Sequence, residues 1–302
     1  VTDGLDEFEA SYQMPVSARD TLLGVRYERT ESKVVEEPFD DIDVEGKTHT
    51  ASIYLAHPLR MNLSTRLSGL LGFDVRHSET ELLGEPFSFS PGVKDGESDV
   101  SVLWTGLEWT RRGPQRALAL RGIYRQGLDV LGATDNSDKP DGVFSLFLFQ
   151  FQYLQRLDHY GIQVMLRSTL QRSLDPLLPI EKLGIGGRYS VRGYRENQFV
   201  RDNGLAATLE GRIPLFQHDN NRSRYNLSLA GFVDYGRTWD EDNDLPTSST
   251  TNISSVGAGL IWNSVKRISA ELFWAYALDD IDTNDDDLQD DGISFSLVYR
   301  FL

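Results

Sequence analysis

Apolar and polar residues alternate along this chain, and the alternation is broken by glycine, proline and acidic clusters. A period of two marks strands that show one apolar and one polar face. Phe8, Ala10, Tyr12 and Met14 alternate with Glu7, Glu9, Ser11 and Gln13. After a break over 15–20, Leu23, Val25 and Tyr27 continue the pattern, and an acidic loop over 31–46 follows. Ala51, Ile53 and Leu55 form a third strand, which the His57-Pro58-Leu59 run is expected to end. A longer one runs from Leu63 to Val75, and a loop over 78–98 follows it. Strands are predicted through Leu103 and Trp109, Leu118 and Tyr124, Phe147 and Tyr153, and Tyr160 and Leu166. Five more centre on Leu209, Leu229, Ala258, Leu272 and Phe295, which gives thirteen strands and no helix.

Between the eighth and ninth strands lies a connection over 175–204, rich in glycine and arginine. Connections of this length without structure of their own are uncommon and are functional or disordered. This one combines Tyr189, Val191, Tyr194 and Phe199 with Arg188, Arg192, Arg195 and Arg201. Those apolar residues favour packing, so the loop is expected to fold back into something that buries it.

The other connections alternate between short turns and long, mostly acidic loops. Outer-membrane barrels are built this way, with strands apolar outside and polar inside. Lipid cannot satisfy an open sheet edge, so the sheet must close. Arg66, Arg76, Arg167, Glu210, Arg212 and Glu271 fall on polar strand faces. A wet lumen accommodates them and a dry sandwich core does not; no propeller-type repeat is present. Tyr27, Trp109, Tyr153, Tyr235, Trp239 and Tyr276, near strand ends, suit interfacial girdles. The expected fold is therefore all-β: a transmembrane antiparallel barrel over 1–302, with 175–204 a loop inside its lumen. An odd strand count with a periplasmic start implies further N-terminal barrel strands upstream.

Composition narrows the classes. The formal charge of −16 argues against nucleic acid as a partner. Cysteine is absent, which excludes disulfides and thiolate metal sites. No apolar run approaches the ~20 residues of a membrane helix.

The run GIGGRYSVRGYRENQFVRDNG resembles the VRGY loop of the BamA/TamA/FhaC superfamily of outer-membrane polypeptide transporters. GFVDYGRTW, Gly231 to Trp239, is similar to a later strand motif of the same proteins. LGEPFSFSPG, DPLLPIEKLGIGG, LEGRIPLF and DDGISFSLVYRF resemble the FhaC/ShlB branch, the haemolysin secretion and activation proteins of two-partner secretion. The resemblance implies sixteen strands, thirteen of them in this chain, with periplasmic POTRA domains further upstream. It implies a monomeric pore, without cofactor or enzymatic activity, in the outer membrane of a Gram-negative bacterium. The pore would pass an unfolded exoprotein to the cell surface without ATP, surrounded by outer-membrane lipids and lipopolysaccharide. Arg192, at the tip of Val191-Arg192-Gly193-Tyr194, would reach Asp234 on the inner wall. Alternation independently places Asp234 and Phe232 on the polar face. Gly193 would permit a tight turn, Tyr194 would pack on the wall and Gly236 would leave room for the loop, with Gly186 and Gly187 in the same run. Glu210 and Arg212 are either a lumen ion pair or ordinary wall residues. Competing readings are a TamA- or BamA-like assembly factor, a passive porin and a barrel enzyme.

Other candidates are weaker. No helix follows Gly184-Ile185-Gly186-Gly187, so a phosphate cradle is not expected. His49, His57, His77, His159 and His218 lack metal spacing, and no nucleophile elbow accompanies His77. Asp279, Asp280, Asp282, Asp285, Asp286, Asp287, Asp290 and Asp291 could gather Ca²⁺. They lack the glycine and terminal glutamate of an EF-hand, so a solvated external loop is the favoured reading.

Overall fold

The computed structural model describes residues 4–33, 44–157, 161–216, 225–241, 250–264, 268–281 and 290–300. Its strands are β1 (Leu5–Pro15), β2 (Leu22–Lys33), β3 (Val44–Met61), β4 (Thr65–Leu82), β5 (Glu85–Pro86), β6 (Glu97–Arg112), β7 (Arg116–Leu128) and β8 (Ser145–Arg156). They continue with β9 (Gln163–Ser173), β10 (Leu183–Ile185), β11 (Phe199–Arg201), β12 (Asn203–Phe216), β13 (Tyr225–Trp239), β14 (Thr251–Ser264), β15 (Ile268–Ala277) and β16 (Ile293–Tyr299). One 3₁₀ turn, Pro179–Glu181, is present, and no α-helix occurs among the described residues.

Thirteen long strands pair in the order β1-β2-β3-β4-β6-β7-β8-β9-β12-β13-β14-β15-β16, with β5 attached to β4 and β10-β11 forming a separate ribbon. Eight long strands thus precede the 175–204 connection and five follow it, as the alternation predicts. The chain divides into two compact units: Val1–Trp109, Arg121–Phe149 and Gln171–Lys182 in one, Thr110–Leu120, Gln150–Leu170 and Leu183–Leu302 in the other.

Within the second unit the usual burial order is inverted. Leu209, Val233, Leu272 and Trp274 are at least 50% exposed, whereas Thr208, Glu210, Asp234 and Ser255 are at most 2% exposed. Register explains the segregation: Thr208 pairs with Asp234, Glu210 with Phe232, and Asp234 with Ser255, so these residues share one face across three strands. The first unit repeats the arrangement. Leu55, Leu71 and Leu107 are exposed while Ser68 and Asp74 are buried. A soluble protein with this pattern would present a broad apolar sheet face to water, against the hydrophobic effect. The pattern fits a strand whose outer neighbour is hydrocarbon.

The structure departs from several predicted boundaries; the acidic loop expected over 31–46, for example, is shortened by β2, which runs to Lys33, and β3, which starts at Val44. β3 does not end at Pro58 but passes through it to Met61, with the register shifting between Pro58 and Arg60. A proline is tolerated there because a bulge releases its missing donor from the ladder. β4 continues to Leu82, so the loop predicted over 78–98 starts later, at a turn where Leu83 and Gly84 have φ of 55° and 76°. The 175–204 connection has structure of its own, the β10-β11 ribbon and the Pro179–Glu181 turn.

Leu272 lies mid-strand in β15 with its side chain outward. Leu272→Arg should lower the unfolding free energy by ~2–4 kcal/mol, the cost of an arginine at the bilayer midplane. A denaturant titration in lipid vesicles checks this; a change within the ~0.5 kcal/mol typical of a soluble surface would contradict a lipid-facing position.

Candidate functional site

The second part of the long connection packs on the polar face of β12 to β15. Leu183 pairs with Arg201, Gly184 with Val200 and Ile185 with Phe199, which makes the short ribbon. Ile185, Val191 and Tyr194 bury their side chains against Ile253 of β14. The backbone between them reverses at Gly186 and Gly187, with φ of 118° and 88°, where a side chain would be strained. Ser190 closes that reversal: its Oγ accepts the Gly186 N–H at 2.8 Å and donates to the Gly186 carbonyl at 2.7 Å. A second reversal at Gly193, φ 88°, follows Arg192.

Arg192 is the centre of this packing. Its Nε and Nη2 donate to the two oxygens of Asp234 at 2.7 and 2.9 Å, a bidentate pairing. Its backbone N–H donates to the same carboxylate at 3.1 Å, and Nη1 donates to Glu210 Oε2 at 2.7 Å. Glu210 also accepts from Arg212 Nε at 2.6 Å. The guanidinium carbon lies 3.3 Å from the Phe232 ring centre and 5.0 Å from that of Phe273. Arg192 and Asp234 have side chains 4% and 0% exposed. A charge so far from water persists only when its donors are matched, and here the fork, the ring face and two carboxylates match them.

The remaining site residues complete the seat. A Cβ added at Gly236 would lie 2.8 Å from both Ile185 Cγ2 and Val191 Cγ2, so only glycine leaves the loop its place. The Tyr194 hydroxyl donates to the Ser254 carbonyl at 2.8 Å and accepts the Asp279 N–H at 3.1 Å. Arg188 pairs with Glu271 at 2.5 Å, and Arg195 grips both oxygens of Asp290 at 2.9 and 2.7 Å. Sequence reasoning did not foresee these flanking contacts or the part of Phe273; charges on neighbouring polar faces were the available signal. Glu210 and Arg212 form an ion pair on that polar face.

The other candidates lie elsewhere. Among the described residues no group of histidines and carboxylates could hold a metal ion. His77 hydrogen-bonds Asp99 and Glu79 at 2.8 Å each, His49 bonds Tyr27 and His57 bonds Thr21. His159, His218, Asp282, Asp285, Asp286 and Asp287 lie outside the described residues.

An antiparallel meander with apolar residues on the exposed face, buried charge on the other and a loop seated on the polar face is the arrangement of an outer-membrane β-barrel protein. Solved structures share the fold. CdiB from Escherichia coli superposes with a TM-score of 0.75 at 19% identity, covering 98% of this chain and 52% of that one. CdiB from Acinetobacter baumannii gives 0.70 at 17% identity, covering 97% of this chain and 50% of that one. BamA from Haemophilus ducreyi lacking POTRA domains 1-3 gives 0.65 at 15% identity, covering 98% and 62%. The chain spans about half the length of the two CdiB structures. The search of curated proteins found no match. The family model described as haemolysin secretion/activation protein ShlB/FhaC/HecB matches residues 2–261, and the chain belongs to that family of transporters.

The chain has no cysteine, so a single introduced thiol reports the seat cleanly. Val191→Cys should be protected from a membrane-impermeant maleimide in the folded barrel, because Val191 is fully buried. Adding Gly236→Val should raise its labelling rate by about tenfold or more, since the new methyls displace Ile185 and Val191. Unchanged protection would show that the loop can be seated without that contact.

Proposed function

We propose that the protein is the outer-membrane pore of a two-partner secretion system. It passes one unfolded exoprotein from periplasm to cell surface without ATP. Membership of the ShlB/FhaC/HecB family over residues 2–261 carries this reading. In it, residues 175–204 are a lumen loop, and Arg192 on Asp234 and Glu210 holds that loop in the secretion-competent position. The pore works as a monomer among outer-membrane lipids and lipopolysaccharide, and no enzymatic step is involved. Removing Arg192 strips the buried Asp234 of its bidentate partner and leaves Glu210 with Arg212 alone. Breaking a buried pair on one side costs about 3–5 kcal/mol, enough to shift the loop population decisively.

The second reading, an assembly factor for other barrels, is favoured by the likeness to BamA. The two are separated by co-expressing the gene and its upstream region with the neighbouring exoprotein gene. Arg192→Ala should lower exoprotein in the medium by about tenfold or more while the heat-modifiable gel shift of the folded barrel is kept. Arg192→Lys should fall between the two, because an ammonium cannot reproduce the bidentate fork. Wild-type secretion from Arg192→Ala would remove the loop contact from the mechanism. Failure of unrelated outer-membrane proteins to assemble when the gene is deleted would favour the second reading.

A further inference from the structure

The first part of the connection is held by other groups, all within the unit that contains β2 to β4. Leu177 and Leu178 are fully buried among Val100 and Val102 of β6 and Phe144 and Leu146 of β8. The turn that follows carries Glu181, whose side chain is 0% exposed, between two arginines. Arg76 of β4 donates to its Oε1 at 3.1 Å. Arg125 of β7 donates to Oε1 at 3.2 Å and lies 3.1 Å from Oε2. Asp74 stands 3.6 Å from Arg76 and 3.8 Å from Arg125, and accepts the Trp104 indole N–H at 2.8 Å. Gln171 of β9 donates to the Glu181 backbone carbonyl at 2.9 Å.

The cluster balances two guanidinium groups against two carboxylates. Its polarity is the reverse of the Arg192 contact: here the acid is on the connection and the bases are on the strands. Arg76 Nε, Arg125 Nε and Glu181 Oε2 have no hydrogen-bond partner among the described residues, but Glu181 lies 3.1 Å from each guanidinium and is the nearer of the two acids, so its charge supplies much of their compensation. Neutralising Glu181 would leave both sharing Asp74 alone, and an uncompensated buried charge costs far more than a lost neutral hydrogen bond. No residue of this cluster takes part in the Arg192 contact.

We infer that Glu181 is a positioning residue that fastens residues 175–182 by itself, so the connection is held by two independent locks of opposite sign. When the distal lock is undone, the proximal part stays. The fastening rests on the geometry; its importance for transport rests on the proposed function.

The test uses the full chain in outer-membrane vesicles, with Leu178→Cys or Val191→Cys as the only thiol and a membrane-impermeant maleimide as probe. Glu181→Gln should raise labelling at position 178 by about tenfold or more and leave position 191 protected. Arg192→Ala should do the reverse. Continued protection at 178 in Glu181→Gln, or exposure of both positions together, would overturn the inference. If Glu181→Gln gives no heat-modifiable barrel, Arg125→Gln removes one base instead and carries the same expectation. Loss of the barrel in both variants would also overturn it, because the cluster would then hold the barrel and not the loop. Exoprotein in the medium is measured in parallel. Secretion lowered by Glu181→Gln in a folded barrel supports a role of the lock in transport. The labelling pattern as expected with no secretion even from wild type would sink the transport reading and leave the double fastening standing.

Discussion

A peptide group in hydrocarbon has no water to turn to, so each N–H and C=O along the chain must find a partner in a neighbouring strand. That requirement explains the plain meander, in which each long strand pairs with the next long strand in sequence, across the short β5 and across the long connection between β9 and β12. It also fixes what the side chains can do. Once the backbone is laddered, alternate residues are committed to opposite faces, and one face belongs to lipid. Polar groups collect on the other face because nowhere else is open to them. Thr208, Glu210, Asp234 and Ser255 are buried for this reason, while Leu209, Val233 and Leu272 lie on the exposed face.

A face lined with charge would be hydrated if nothing covered it. The long connection covers part of it, and in doing so brings charges of its own out of water. The chain meets that cost by complementarity. An arginine from the connection meets two acids, and elsewhere a glutamate from the connection meets two arginines. Buried charges of this kind contribute less to stability than to uniqueness, since a shifted loop would strand them. The apolar residues beside each cluster, Val191 and Ile185 in one unit and Leu177 and Leu178 in the other, contribute ordinary burial.

Strand positions were legible in the sequence because period-two alternation is local information, and each strand carries its own copy. Strand ends were less legible. Ser78 to Leu82 reads as the start of a loop, yet it remains in β4, because a strand that leaves the hydrocarbon no longer needs an apolar face. Pro58 looks like a terminator, and only the bulge beside it shows why it is not. Period and resemblance placed Asp234 opposite a loop arginine, but they did not supply the Phe232 and Phe273 faces or the second acid as partners of its guanidinium. Glu181 was invisible for another reason. Beside Lys182 it resembles an ordinary solvated charge, and its partners Arg76 and Arg125 lie 105 and 56 residues away.

Tyr194 and Arg195 are neighbours in sequence, and each holds one end of the connection between β15 and β16. The phenol bonds at Asp279 and the guanidinium at Asp290. One tether is a neutral hydrogen bond that salt does not screen; the other is a charge pair. A displacement of Asp279 or Asp290 would therefore act on adjacent residues of the loop, one and two past Gly193, whose φ is positive. The tip of the loop is tied to both ends of that connection, through two contacts that fail under different conditions.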